Sequence, residues 1–155
     1  MTIEKLEQER NLARKNGQSA RLLLLNDVIA KARAKETAGK KKVELTEALV
    51  NDTLVEYRKM LKDGIKQMPE GHAVRAMYEE QMIILSEFCP PVLEDEAEIE
   101  NLIAQVLALD NIGVSRKNKG RMMKALMPAL RAKYVDMDVA MPIIDWMIQN
   151  VEETK

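Results

Sequence analysis

Residues 111–134 carry seven basic side chains, Arg116, Lys117, Lys119, Arg121, Lys124, Arg131 and Lys133, and not one acid. Placed on a helix at about 100° per residue, Lys117, Arg121, Lys124 and Arg131 share one narrow face, with Met122, Met123, Leu126, Met127 and Leu130 opposite. That run covers roughly 20 Å of helix axis, enough for ammonium and guanidinium groups to follow several phosphates of a nucleic-acid backbone. The candidate nucleic-acid-binding residues are Arg116, Lys117, Arg121, Lys124, Arg131 and Lys133. Lys119 and Lys133 point toward the apolar side, where a long stem can lie along the core while the charge reaches water. The stretch also suits a plainer role as a solvated helix face that balances the acids of residues 94–100, since charged runs on exposed helices are common. The complete absence of interleaved acid favours a polyanion.

The other reactive residue types offer little chemistry. The single histidine, His72, has no partner visible in the sequence for general base work, and it reads as a helix-start or surface residue. Cys89, the single cysteine, ends an apolar stretch beside Pro90 and Pro91 and reads as a small core residue before a nucleophile. Together the two fall short of the four ligands of a structural zinc site. Glu94, Asp95, Glu96, Glu98 and Glu100 lack the glycine and alternating ligands of a calcium loop, and they suit the positive end of a helix dipole instead. No glycine-rich phosphate loop and no His-Glu-x-x-His pattern occurs. We therefore expect a protein that is not an enzyme and holds no cofactor or metal.

These residues sit in a chain of 155 residues with 46% apolar and 32% charged side chains, a composition that folds as one domain or two small ones. The net charge of −1 excludes a generally basic nucleic-acid coat protein and an acidic solvating tail. The charge is instead distributed in blocks. Residues 1–42 hold 11 basic and 5 acidic side chains, residues 43–110 hold 5 and 15, and residues 111–155 hold 8 and 5. One cysteine suggests a reducing compartment, the charged first sixteen residues lack a signal-peptide core, and no window is apolar enough to span a membrane; we expect a cytoplasmic protein with no membrane partner.

Apolar residues recur at helical spacing almost throughout and strand alternation is absent, so the fold class is all-α. A first helix over about residues 2–15 places Ile3, Leu6, Ala13 and Leu12 inward and ends at Gly17. A second, capped by Ser19, carries Leu22, Leu25, Val28, Ile29 and Ala32. A third follows Thr46 with Val50, Leu54, Tyr57, Leu61, Ile65 and Met68 on one stripe. A fourth reaches Phe88 with Val74, Met77, Tyr78, Met82 and Leu85, and Pro90 and Pro91 stop it. These four helices form an N-terminal subdomain, residues 1–90.

A small C-terminal subdomain of three helices follows, residues 91–155. Its first helix starts at the acidic run and buries Ile99, Leu102, Ile103, Val106 and Leu107. Its second, capped by Ser115, is the cationic helix, in which Pro128 leaves the carbonyl near Lys124 without its usual donor. Its third begins near Asp136 or Asp138, holds Pro142 in its first turn, and carries Val139, Ile143, Trp146, Met147 and Val151 as its apolar set. Most methionines read as adaptable core filler, with Met137 and Met141 as a candidate exposed pair. An alternative function follows from the same helix: a protein–protein interaction module that docks through Met141, Trp146 and Met147.

The chain resembles the GatB/YqeY family in four places: Arg21-Leu22; Leu85-Ser86-Glu87-Phe88-Cys89-Pro90; the acidic helix start from Leu93 to Leu102; and Gly120-Arg121-Met122-Met123-Lys124-Ala125-Leu126-Met127-Pro128. The last is the most specific, and the resemblance covers nearly the whole chain. Freestanding members resemble the helical tail of the B subunit of glutamine-dependent aminoacyl-tRNA amidotransferase. The resemblance implies two helical subdomains and a tail that positions tRNA or another structured RNA, with an amidotransferase or an aminoacyl-tRNA synthetase as a further partner. It implies no catalysis, because the amidating chemistry belongs to parts of that enzyme outside the tail. This sequence departs from the family pattern at Lys124, where members commonly have a second glycine, at Asn26, where an arginine is usual, and at Ala129 to Asp136, which replaces a glycine-containing stretch. That departure removes the glycine turn on which a tight backbone approach to phosphate between the last two helices would rest, while Lys124 adds to the cationic stripe.

Overall fold

A computed structural model describes residues 1–154, over which the chain forms seven α-helices and no strand: the fold is all-α. The helices are α1 (Ile3–Lys15), α2 (Ser19–Thr37), α3 (Glu47–Gln67), α4 (Ala73–Ser86), α5 (Glu96–Leu109), α6 (Lys119–Ala132) and α7 (Met137–Glu153). The backbone divides into two compact units, Met1–Pro90 and Pro91–Lys155.

In the first unit, Thr2 caps α1 by accepting from the amide of Lys5, and Gly17 closes it at φ +66° while the Gln18 amide reaches back to the Ala13 carbonyl. Ser19 is the first helical residue of α2 and not its cap; the cap position is Gln18, whose side chain makes no capping bond. Thr46 caps α3 by accepting from the Leu49 amide, as its position predicts. The core gathers Leu6, Leu24, Leu25, Leu54, Leu61 and Leu85, all essentially inaccessible to water, each contributing about 1.5–3 kcal/mol of burial. Leu24 takes the place expected for Leu22, which is half-buried, and Leu12, Met60 and Met77 face solvent. Arg21 joins three helices: its guanidinium donates to Glu9 at 3.2 Å and to Glu87 at 2.7 Å, and it lies 4.9 Å from the Phe88 ring centroid.

In the second unit, Asp95 caps α5 by accepting from the Glu98 amide, with Glu96 and Glu98 in the first turn. The buried rows are Ile99, Ile103 and Leu107 on α5; Met122, Leu126 and Leu130 on α6; and Ala140, Ile144 and Ile148 on α7. Asn111 ends α5 and Tyr134 follows α6 at φ +52° and +53°, so a tyrosine adopts the left-handed conformation that a glycine would take without strain.

Three expectations change here. The core face of α7 is Ala140, Ile144 and Ile148, one position on from the expected Val139, Ile143 and Met147, which are half-buried. Trp146 follows Ile144 by two residues, about 200° around the helix, and is 53% exposed. Pro142 is the sixth residue of α7, beyond its first turn. Met137 and Met141 pack against this core, where an exposed pair was a candidate.

Candidate nucleic-acid interface

The cationic surface is built from α6 and the turn before it. Ser115 does not cap α6 directly: its hydroxyl and carbonyl accept from the Asn118 amide, the Asn118 side chain donates to the Gly113 carbonyl at 2.9 Å, and the helix begins four residues later than Ser115, at Lys119. Arg116 and Lys117 therefore lie in the turn and not on the helix. Along α6 the buried row at Met122, Leu126 and Leu130 fixes the rotation, and Arg121, Lys124 and Arg131 fall directly opposite it, all three exposed. The helical part of the stripe is thus about 15 Å long, from Arg121 to Arg131, with Lys117 extending it from the turn. Lys133 occupies the position after the helix; it is exposed and does not fold along the core as expected, and its carbonyl accepts from the Leu93 amide at 3.1 Å.

Carboxylates of α7 partner two of the seven cations. Lys119 Nζ donates to Asp145 Oδ1 at 2.7 Å, and the Arg116 backbone amide donates to Glu152 Oε1 while its guanidinium stands 3.7 Å from Glu152 Oε2. The Arg116 side chain is 78% exposed, so that longer contact holds it weakly. Among the described residues the side chains of Lys117, Arg121, Lys124, Arg131 and Lys133 make no ion pair or hydrogen bond. The acids of residues 94–100 do not neutralise them. Asp145 and Glu152, seven residues apart on one face of α7, are the partners that reading the stretch in isolation missed, and their heptad spacing is the signal that could have found them.

Elsewhere the reactive residue types serve structure. His72 Nδ1 accepts from the Val74 amide at 3.1 Å and caps α4. Cys89 is half-buried, its thiol directed at the Leu54 carbonyl at 3.5 Å, and burial pushes it up to about 11. Tyr57 donates to Asp27 at 2.7 Å, and burial, ahead of that carboxylate, raises its phenol. Among the described residues no group of three or more His, Cys, Asp or Glu side chains is placed to hold a metal ion, and no helix is long and apolar enough to cross a membrane.

A second surface feature lies between α5 and α7, a groove of about 620 Å³ lined by Glu96, Ala97 and Glu100 from one helix and Asp138, Val139, Pro142, Ile143 and Trp146 from the other. It is not contiguous in the chain, and no motif announces it.

Taken together, these features describe a small all-α protein whose C-terminal unit packs three helices and presents a cationic face on the middle one. The family model of the Yqey-like proteins matches residues 3–146, nearly the full length, and the chain belongs to this family. No curated protein matches the chain.

Proposed function

We propose that the chain is a non-catalytic accessory that binds tRNA or another structured RNA through α6 and the turn before it, in the manner of the tRNA-positioning tail of glutamine-dependent aminoacyl-tRNA amidotransferase. The observation that carries this reading is the set Arg121, Lys124 and Arg131, on the side of α6 opposite its buried row, with Lys117 in the turn before it, all four exposed and without acidic partners among the described residues. Charges left without intramolecular partners are available to phosphates, and releasing counterions from the RNA supplies the binding free energy. Lys133 adds an exposed cation just past the end of α6, whereas Arg116 contributes only by leaving Glu152. Contacts are to phosphate and ribose, because structured RNA is read by shape and 2′-hydroxyls, and 3% aromatic residues leave few platforms for stacking bases. The capping role of His72 and the raised thiol of Cys89 support the non-catalytic part of the reading. An amidotransferase or an aminoacyl-tRNA synthetase is the enzyme such an accessory would serve.

The test is a filter-binding titration against total tRNA at two salt concentrations. Four neutralised phosphates give a log–log salt slope of roughly −3 to −4, and the K117E/R121E/K124E/R131E variant loses retention. Retention of tRNA by that variant at wild-type affinity overturns the reading.

A further inference from the structure

We propose that the groove between α5 and α7 binds a cationic, partly apolar polypeptide segment of a partner protein. The inference uses α5 and α7 and not the cationic face of α6, so it stands or falls separately from RNA binding, and it gives the interaction-module alternative a defined surface and occupant. The floor of the groove is apolar, with Val139 and Ile143 half-buried on α7, and its wall is Trp146, whose indole is more than half exposed. An exposed tryptophan beside a concave apolar surface is the residue type that most often anchors protein interfaces. The rim is anionic. Glu96 and Glu100, one turn apart on α5 and about 6 Å along its axis, face Asp138 across the groove.

Charge complementarity selects the occupant. Neither Glu96 nor Glu100 makes a side-chain hydrogen bond or ion pair among the described residues, and Glu100 is half-buried against the groove, where a carboxylate loses water without gaining a cation. Phosphate backbones and anionic lipid headgroups are repelled by this rim. A segment that alternates Lys or Arg with apolar side chains matches this surface: its cations pair with Glu96 and Glu100, an aliphatic side chain covers Val139 and Ile143, and a further cation stacks on the Trp146 face.

Trp146 is the only tryptophan in the chain, so its emission reports on this groove alone. The full chain is titrated with a synthetic amphipathic peptide of leucine and lysine, and with its counterpart carrying glutamate for lysine. The lysine peptide is expected to give a saturable blue shift and the glutamate peptide none. The E96Q/E100Q variant weakens binding at least tenfold, whereas D110N/E153Q, which removes two acids away from the groove, leaves it within twofold. Circular dichroism confirms that both variants are folded, and W146A, followed by anisotropy of labelled peptide, also weakens binding at least tenfold. The proposal is overturned by an absent or non-saturable shift, by equal weakening in the two double variants, by wild-type affinity in W146A, or by a peptide-independent shift that tracks dimer formation in sedimentation. Displacement of the bound peptide by tRNA, lost in E96Q/E100Q, likewise assigns the groove to another ligand and overturns it.

Discussion

Lys119 Nζ lies 2.7 Å from Asp145 Oδ1, so an acid from α7 takes up the one cation that the rotation of α6 turns toward the core. The pair sorts the basic side chains of residues 111–134 into those that hold the three-helix unit together and those left for a partner. Exchanging Asp145 for asparagine should release Lys119 to an RNA backbone. Under the proposed function, D145N binds total tRNA more tightly than wild type and its salt slope steepens by about 0.7–0.9, the increment for one further phosphate. Both partners are partly exposed, so the stability change in urea unfolding stays within about 1 kcal/mol. Filter binding checks the first expectation, and a slope no steeper than wild type shows that Lys119 does not reach phosphate even when released.

Much of this arrangement was legible before folding. The period of α3, the cap at Thr46 and the stop at Pro90 and Pro91 follow from single-helix rules, because a stripe of apolar residues with polar neighbours has only one phase that buries it. The phase fails where apolar residues surround a helix. Leu22 to Leu25 form an unbroken run, so α2 can be rotated by a residue without exposing its core face, and the choice of Leu24 over Leu22 is made by packing against α1 and α3. The same ambiguity misplaces Trp146: α7 carries Val139, Ala140, Met141, Ile143, Ile144, Trp146, Met147 and Ile148, and the small side chain of Ala140 marks the true contact line. The acid partners of Arg116 and Lys119 show in the sequence only as the heptad spacing of Asp145 and Glu152, and the groove beside Trp146 is a relation between helices that no linear pattern encodes.

Gly64 on α3 permits a close helix contact with Tyr78 on α4. A Cβ added there would stand 2.7 Å from Tyr78 Cε2, closer than real Cβ atoms come, and 3.0 Å from Cδ2, at the tight limit of such contacts. Alanine improves helix propensity by about 1 kcal/mol, yet a rigid ring must move to admit it, so G64A is expected to be net destabilising by about 1–3 kcal/mol in urea unfolding. In a Y78A background the obstruction is gone and the same change should be neutral or stabilising. A double-mutant cycle reads the difference directly, and additive effects refute the contact.

Arg21 uses the shape of its guanidinium. Its two terminal nitrogens reach different acids, Glu9 and Glu87, and its Cζ lies over the Phe88 ring, a combination that a single ammonium cannot reproduce. The Glu87 hydrogen bond, ahead of the one to Glu9, raises the guanidinium further above its ordinary value. R21K keeps the charge, and an urea titration should still show a loss of about 1 kcal/mol, because one acid and the ring contact are left unserved. Salt should reduce this difference only in part, since the ring contact persists when the ion pairs are screened. A difference that vanishes completely in high salt would mean that charge alone holds the three helices at this point.

Cys89 gives stability a dependence on alkaline pH whose sign is fixed by burial. The thiol is pushed up to about 11 in the folded chain by desolvation, with Arg58 opposing the shift, whereas an unfolded thiol ionises near 8.5. Below that unfolded value both states hold the proton, and the contribution is constant. Between about 8.5 and 11 only the unfolded chain loses its proton, so stability falls as pH rises across that window and the contribution is gone above it. Urea unfolding of wild type from pH 7 to 10 should therefore show a decline that C89A lacks, superimposed on any slope the two share. The same burial makes the thiol slow to react: at pH 8 alkylation of the folded chain should run at least about tenfold slower than that of an unfolded control, because the thiolate is scarce. Parallel pH profiles for wild type and C89A, together with alkylation at the unfolded rate, would show Cys89 to be solvated, and its contact with the Leu54 carbonyl would then have no energetic weight.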